Sequence, residues 1–361
     1  MIIKWVKNRK VQQIGLLCIS ILFTLMIAEG VLYGVEEHLT KRLAGRYRFD
    51  LYKELYMVSP NKDVSYEHRP NVNIVFESSR GEFFTMRVVT NSAGLREESD
   101  IPFEKPKNVK RIIGLGDSVV FGASVDNDET LLRAMEGYLS NEEFTVQTIN
   151  FGVGGSNTRL QYHFLKYKKA ASYSPDIILL GFYLNDFDTR YIVFDPELGN
   201  WHFAGGSIID VTKGFLAKSR LLRLLNAARL KFLETPKDKP DVDAGDRQKQ
   251  ELAHWLKQIK EYSREHNAHF IVIVLPLKQQ LAYALQTQDM SFESQKAIKE
   301  ICEQLKIPCY DLLPDLIDYL ISHGTNLDEF YWDEGHPWRE GYQAIGRFTA
   351  TWILKNQWLE N

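Results

Sequence analysis

A hydroxyl, an imidazole and a carboxylate together can make a nucleophile at neutral pH, and this chain offers all three in restricted settings. Arg111-Ile112-Ile113-Gly114-Leu115-Gly116 is an apolar, β-prone run that ends abruptly in Asp117-Ser118. That ending predicts a Ser118 hydroxyl at the carboxyl edge of a strand, where open α/β sheets bind ligands. Near the other end of the chain, Asp333-Glu334-Gly335-His336-Pro337 precedes a last helical stretch. His336 can take a serine proton and return it to a leaving group. Asp333, on the same tight loop, can fix the His336 tautomer and stabilise its charged form.

Such chemistry also needs N–H donors for a developing oxyanion. Asn150-Phe151-Gly152-Val153-Gly154-Gly155-Ser156-Asn157 follows a second strand-like run. Glycine lets backbone N–H groups approach a ligand closely, and a helix N-terminus adds a favourable dipole. The loop lacks the lysine of a P-loop and the spacing of a dinucleotide fingerprint. Leu184-Asn185-Asp186 follows a third run, and the Asn185 amide can supply a further donor. Each motif alone also reads as local structure: a capping acid beside a loop histidine, a tight glycine turn, an Asx turn. Their occurrence together, at the ends of separate strands, points to one site.

These residues need a frame that brings strand ends together. Strand patterns at 111–116, 145–151, 176–183, 269–275 and 308–312 alternate with helical patterns at 129–140, 157–172, 247–267, 292–306 and 340–356. Repeated β-α alternation predicts a mostly parallel five-stranded sheet in a three-layer α/β/α sandwich, with right-handed crossovers. One connection is too long for a simple loop: about sixty residues separate Asp186 from Asp246. Within it, Lys218–Leu233 has the pattern of an amphipathic basic helix, packed on the domain or lying as a lid or on a membrane, and Thr235–Arg247 reads as a solvated loop. Before the sheet, residues 40–60 have helical character and 62–100 read as β, with strands at 73–77 and 82–90 around Ser78-Ser79-Arg80-Gly81.

Composition narrows the class. The chain has 361 residues, 44% hydrophobic and 25% charged, with net charge −3, so a packed core is expected and nucleic acid is not an expected partner. Lys4, Lys7, Arg9 and Lys10 precede an uncharged stretch from Val11 to Ala28, and apolar character resumes after Glu29 through Val35. About 20 helical residues cross a bilayer core, so residues 1–38 read as a cytoplasmic stub and transmembrane anchor. A cleaved signal peptide would have a shorter apolar core and a small-residue cleavage site. The remaining frame is a connector and small β region at 39–108 and a catalytic domain at 109–361 with the insertion at about 186–246. Cys18, Cys302 and Cys309 do not make a disulfide framework; Cys302 and Cys309 read as buried thiols, with a bridge as the alternative in an oxidising compartment. His254, His266 and His269 read as surface residues rather than metal ligands.

Taken in order, the four motifs resemble those of the SGNH/GDSL hydrolase superfamily over roughly residues 109–356. The resemblance implies a flavodoxin-like sheet, Ser118 as nucleophile, His336 as base, Asp333 as its orienting acid, and Gly155 and Asn185 as oxyanion contacts. Thr90-Asn91-Ser92-Ala93-Gly94-Leu95-Arg96 is similar to a lead-in of membrane-anchored bacterial members. Val119 replaces the leucine of the name motif, and Trp338 stands where many members have asparagine, which bears on substrate shape more than on catalysis.

The expected function is an exported, membrane-anchored serine esterase acting on acyl esters of envelope carbohydrate or lipid, with no metal or organic cofactor. The alternatives are an O-acyltransferase that passes the same acyl group to a polysaccharide, supplied by a membrane-embedded acyl-donor partner, and a non-catalytic envelope binding protein. Aromatic residues Phe182, Tyr183, Trp201, Tyr331, Trp332 and Trp338 cluster around the motifs, either lining a cleft or filling the core.

Overall fold

Five parallel strands form the central sheet: β5 (Val109–Gly116), β6 (Thr145–Asn150), β7 (Ile177–Phe182), β10 (His269–Val274) and β11 (Cys309–Asp311). Their spatial order is β11-β10-β7-β5-β6, and every pairing is parallel. The computed structural model describes residues 13, 15–17, 20, 21, 23–32, 53–78, 84–140, 144–195, 200–203, 241 and 244–360. β7 is buried along its whole length and β10 from its second residue, as expected for strands covered on both faces. The strand order is that of a doubly wound sheet whose chain reverses direction between β5 and β7. Sheets of this kind take their ligands at the carboxyl ends of the strands flanking the switch point, here β5 and β7, the two strands that carry Ser118 and Asn185 into their following turns.

Helices cover the sheet: α1 (Ser118–Phe121), α2 (Leu131–Leu139), α3 (Thr158–Tyr167), α4 (Asp246–Glu265), α5 (Lys278–Thr287), α6 (Glu293–Gln304), α7 (Leu313–His323), α8 (Leu327–Phe330) and α9 (Arg339–Lys355). Leu131, Leu132 and Met135 of α2 and Tyr342, Ile345 and Ile353 of α9 enter one apolar core with Ile112, Ile177, Leu179, Ile271 and Ile273 of the sheet. The five expected strands and five expected helices are present, with ends shifted by a few residues. α5 and α7 lie in stretches where no helix was expected.

Smaller pairs surround this frame. β1 (Tyr56–Val58) and β2 (Tyr66–His68) form an antiparallel hairpin, in a region expected to be helical up to residue 60. β3 (Asn73–Ser78) pairs with β4 (Phe84–Val89), as expected, while the turn between them lies outside the described residues. β8 (Ile192–Asp195) and β9 (Asn200–Phe203) form an antiparallel pair within the 186–246 insertion, and the expected helix at Lys218–Leu233 lies outside the described residues.

All of β1 and β2 and the central sheet belong to one compact unit made of Tyr47–Glu77, Thr85–Ala204 and Asp238–Asn361, and the helical residues between 13 and 32 belong to another. Those residues are helical where described, and Leu16, Leu17, Phe23, Met26 and Val31 are exposed. Among the described residues no helix is long and apolar enough to cross a membrane, and residues 1–12 and 33–38 of the expected anchor lie outside the description.

Candidate active site

β5 turns directly into α1 at Asp117, whose carboxylate caps the helix by accepting the Val119 N–H at 2.9 Å. Ser118 is the first helical residue, Val119, Val120 and Phe121 are buried, and Gly122 ends the helix in the left-handed region at φ 90°. The short helix therefore pins its apolar side to the sheet and leaves Ser118 over the strand ends. Ser118 Oγ lies 2.8 Å from His336 Nε2, and His336 Nδ1 lies 2.9 and 3.0 Å from the two Asp333 carboxylate oxygens.

The histidine loop is built around the same carboxylate. Asp333 Oδ1 also accepts the Gly335 and His336 N–H groups at 2.8 and 2.9 Å. The Trp332 N–H donates back to the His336 carbonyl at 2.8 Å, and Tyr331 bridges to Pro337. Ser124, just beyond α1, donates through its hydroxyl to the Pro337 carbonyl, which ties this loop to the serine's own segment.

Electrostatics match this geometry. Burial works to lower the His336 pKa, but the Asp333 hydrogen bond and charge, helped by Asp117, raise it above the usual imidazole value. Burial works to raise Asp333, yet its bond to His336, that ring's charge and the two backbone donors hold it well below the usual carboxylate range. An ionised acid thus sits beside an imidazole whose charged form is favoured. Such a line can move a proton off a serine and onto a leaving group.

The glycine loop after β6 is stitched to the serine segment. Gly116 O, at the end of β5, accepts the Val153 N–H and the Ser156 hydroxyl, both at 3.0 Å. Asn150 donates through Nδ2 to the Val120 carbonyl at 3.0 Å and accepts the Gly152 N–H at 2.9 Å. Gly155 has φ 73°, which a side chain would strain. Asn185, on the turn after β7, donates through Nδ2 to Asp117 Oδ2 at 2.9 Å. An amide nitrogen carries two protons, so one remains for a ligand. From the sequence Asn185 is expected at an oxyanion or in an Asx turn, and Asp117 has no role of its own. An aspartate at a strand-to-helix turn is a signal for a cap, but nothing local signals its bond to Asn185.

Burial raises the Asp117 pKa against the pull of the Val119 N–H, His336 and Asn185. Asp186 is also fully buried, and burial together with the Asp117 charge raises it well above the carboxylate range. It accepts the Tyr183 N–H and Gln161 Nε2 at 2.9 and 3.0 Å, bracing the turn that carries Asn185.

The lead-in at Thr90–Arg96 proves structural in a specific way. Asn91 Oδ1 accepts the Ala93 and Leu95 N–H groups, both at 3.0 Å, and the tight turn sends Arg96 inward. The buried Arg96 guanidinium donates to the carbonyls of Phe121, Gly122 and Val125 and to Asn127 Oδ1, gripping the end of α1. Its neighbour Glu97 accepts the Asn150 N–H at 2.8 Å and pairs with Arg133. Glu97 was not singled out in the sequence, because its partners lie far along the chain.

The aromatic residues divide between core and surface. Phe182 and Tyr331 are buried, with the Tyr331 hydroxyl donating to the Pro276 carbonyl at 3.0 Å. Tyr183 and Trp338 are half-buried. The Trp332 ring lies 6.2 Å from the His336 ring and 6.3 Å from that of Trp338. The side chain of Trp201 lies outside the description. His254, His266 and His269 are exposed. Among the described residues, Asp126, Asp128 and Glu129 bring ligand atoms within 4.8 Å of one another. Asp126 accepts the Arg87 N–H at 2.6 Å, and Glu129 pairs with Arg339. Cys302 is buried and Cys309 half-buried, both as free thiols.

A doubly wound parallel sheet with serine, histidine and aspartate in one hydrogen-bonded line at its switch point defines an α/β protein with hydrolase geometry. The model of the GDSL-like Lipase/Acylhydrolase family matches residues 115–344, well over half of the chain, and the chain belongs to that family. It is a GDSL-type hydrolase acting on ester bonds. Comparison with curated proteins gives no match. Among solved structures, the chain is similar to the acetyl xylan esterase AlAXEase, at 12% identity and TM-score 0.41 over 68% of this chain and 98% of that one. It is also similar to the psychrotrophic esterase EstA from Pseudoalteromonas sp., at 13% identity and TM-score 0.39 over 70% and 100%. Axe2, an acetylxylan esterase from Geobacillus stearothermophilus, aligns at 14% identity and TM-score 0.41 over 68% and 94%.

Proposed function

We propose that the chain is an exported, membrane-anchored serine esterase that cleaves acyl esters of envelope carbohydrate or lipid through an acyl-enzyme. The observation that carries the reading is the unbroken line from Ser118 Oγ to His336 Nε2, at 2.8 Å, and from His336 Nδ1 to Asp333, at 2.9 Å. In this mechanism Ser118 attacks the ester carbonyl as His336 takes its proton. The Ser118 N–H, the Gly155 N–H and the Asn185 amide hold the resulting oxyanion. The intermediate collapses when His336 protonates the leaving alcohol. Water, deprotonated by His336, then attacks the acyl-enzyme, and release of the acid restores Ser118. Asp333 stays ionised throughout and stabilises the imidazolium.

The half-buried Trp338, whose ring lies 6.3 Å from that of the buried Trp332 next to His336, supports a carbohydrate as the alcohol portion, because a flat aromatic face suits the C–H face of a sugar ring. The anchor is supported by the exposed apolar side chains of the N-terminal helical residues and by the basic cluster Lys4, Lys7, Arg9 and Lys10 ahead of them.

The test is hydrolysis of p-nitrophenyl acetate by the full chain, with fluorophosphonate labelling. Turnover and labelling that both vanish in Ser118→Ala support the reading. Turnover retained by Ser118→Ala, or none in the wild type, overturns it. Adding oligosaccharide and weighing it by mass spectrometry reads whether the acyl group goes to water or to a sugar hydroxyl. A C-terminal reporter reached by protease from the cytoplasmic side overturns export.

A further inference from the structure

Two tyrosines outside the matched family region converge on the glycine loop. β1 and β2 pair with Tyr56 opposite His68 and Val58 opposite Tyr66. Tyr56 and Tyr66 are 2% and 0% exposed, and their rings meet edge to face at 6.0 Å. The Tyr66 hydroxyl donates to the Gly154 carbonyl at 3.1 Å. The Tyr56 hydroxyl instead faces the Gly154 N–H, which belongs to the preceding peptide. A Cβ built on Gly154 would lie 2.4 Å from the Tyr56 hydroxyl and 3.8 Å from Ser118 Cβ. The hairpin thus seats on the loop right beside the serine, and Gly154 leaves room for it. His68 packs its ring between Tyr56 and Phe121, at 4.8 and 4.7 Å, so the same hairpin also touches α1.

The Gly154 carbonyl and the Gly155 N–H belong to one peptide plane. No peptide bond among the described residues is cis, so the two groups point in opposite directions from that plane. A peptide between two glycines has little orientation of its own, because neither neighbour restricts its dihedrals. An outside donor to the carbonyl therefore sets where the N–H points, and it polarises that N–H as well, since hydrogen bonds in a chain strengthen one another. We infer that Tyr66 is a positioning residue: by donating to the Gly154 carbonyl it fixes and polarises the Gly154–Gly155 peptide, so that the Gly155 N–H is held ready for the oxyanion. The inference rests on the serine-esterase reading of the site. Burial pushes the Tyr66 hydroxyl well above the usual phenol range, which keeps it a donor across the working pH range.

The experiment uses the full chain with Tyr66→Phe, Tyr56→Phe and Ser118→Ala, assayed on p-nitrophenyl acetate with thermal unfolding alongside. Tyr66→Phe keeps the ring and removes the anchor. It is expected to lower kcat about 10- to 100-fold, somewhat less than outright removal of an oxyanion donor, with KM changed by less than about twofold. The midpoint of its pH–rate profile stays in place, because His336 and Asp333 are untouched. Tyr56→Phe is the matched control from the same hairpin. It frees a different peptide, so it should lower the unfolding midpoint while kcat stays within about threefold of wild type. A Tyr66→Phe enzyme with wild-type kcat, or with a loss no greater than that of Tyr56→Phe, overturns the inference. If Ser118→Ala is dead while Tyr66→Phe is fully active, the site reading stands and the Tyr66 role falls. If Ser118→Ala is active, the site reading itself has failed.

Discussion

The Asn185 amide donates to the Asp117 carboxylate at 2.9 Å, joining the turns that follow β7 and β5 across the switch point of the sheet. Asp117 thereby does two things: one oxygen caps the serine helix and the other holds the Asn185 amide, the donor proposed above for the oxyanion. Removing the amide in Asn185→Ala should cost about 10²- to 10³-fold in kcat, as for loss of one oxyanion donor. Asp117→Asn keeps the cap but sets an N–H₂ group against the Asn185 donor, so a loss of about tenfold or more is expected. The double variant should lose much less than the product of the two, because both act through one amide. Additive losses in steady-state kinetics would show that the two residues act separately.

The pH dependence follows from the His336–Asp333 pair. His336 must be neutral to take the serine proton, and the fold raises its pKa above the usual imidazole value. The rate kcat/KM should therefore rise with pH through a midpoint above about 6.5, the ordinary histidine value. Asp333→Asn removes the raising partner, so the midpoint should move down while the rate falls about 10³- to 10⁴-fold. Asp333 itself is held below the carboxylate range. Its stabilising contribution is complete above the unfolded carboxylate pKa and is lost as pH falls through its folded value. A pH–rate profile of the two proteins decides the matter; an unmoved midpoint in Asp333→Asn would separate the pair.

Arg96 is a cation with neutral partners, donating to three carbonyls and one amide oxygen at the end of α1. Burial lowers its pKa to about 10, against the pull of neighbouring Tyr342, Asp126, Tyr56 and Glu97. Lysine cannot reproduce the planar fork that reaches several acceptors at once. Arg96→Lys should then cost roughly 2–4 kcal/mol in denaturant unfolding, since buried carbonyls lose charged donors. Activity at a fixed folded fraction should fall too, because the helix that carries Ser118 loses its anchor. A loss under about 0.5 kcal/mol, the scale of a neutral surface change, would mean that the carbonyls find other donors.

The sequence announces the central sheet because buried parallel strands are written as continuous apolar runs, as in Ile177–Phe182. Ser118, Gly155, Asn185, Asp333 and His336 are legible for a related reason: each stands just past a strand or before the last helix, where local composition changes sharply. What was not legible is long-range. Glu97 and Asn150 are 53 positions apart and meet only in the fold, and Tyr66 lies 88 positions from Gly154. Strands of three residues such as Tyr56–Val58 and Tyr66–His68 are too short to show a period. α7 lies outside the expected helices, although Pro314 stands in its first turn, where proline fits a helix start.

Glu97 offers the most direct test of how the lead-in holds the glycine loop. Burial pushes its pKa up to about 7, against Arg133 and the Asn150 N–H, which favour the ionised form. An acid raised in this way binds a proton more readily in the folded than in the unfolded chain. Between its ordinary value of 4.5 and about 7 the folded state therefore holds the extra proton, and stability falls as pH rises across that window. Glu97→Gln still accepts the Asn150 N–H through Oε1 but does not titrate. Urea unfolding of the full chain at several pH values should show this part of the slope in the wild type and its absence in the variant. On the acid side of the window, where folded Glu97 carries its proton, the neutral Gln matches it and the two proteins should be similarly stable, with Arg133 still paired to Glu136 at 2.6 Å; above about 7 the variant should keep stability that the wild type has lost. A slope equal in the two proteins would mean that Glu97 stays ionised throughout, held by Arg133 rather than governed by burial.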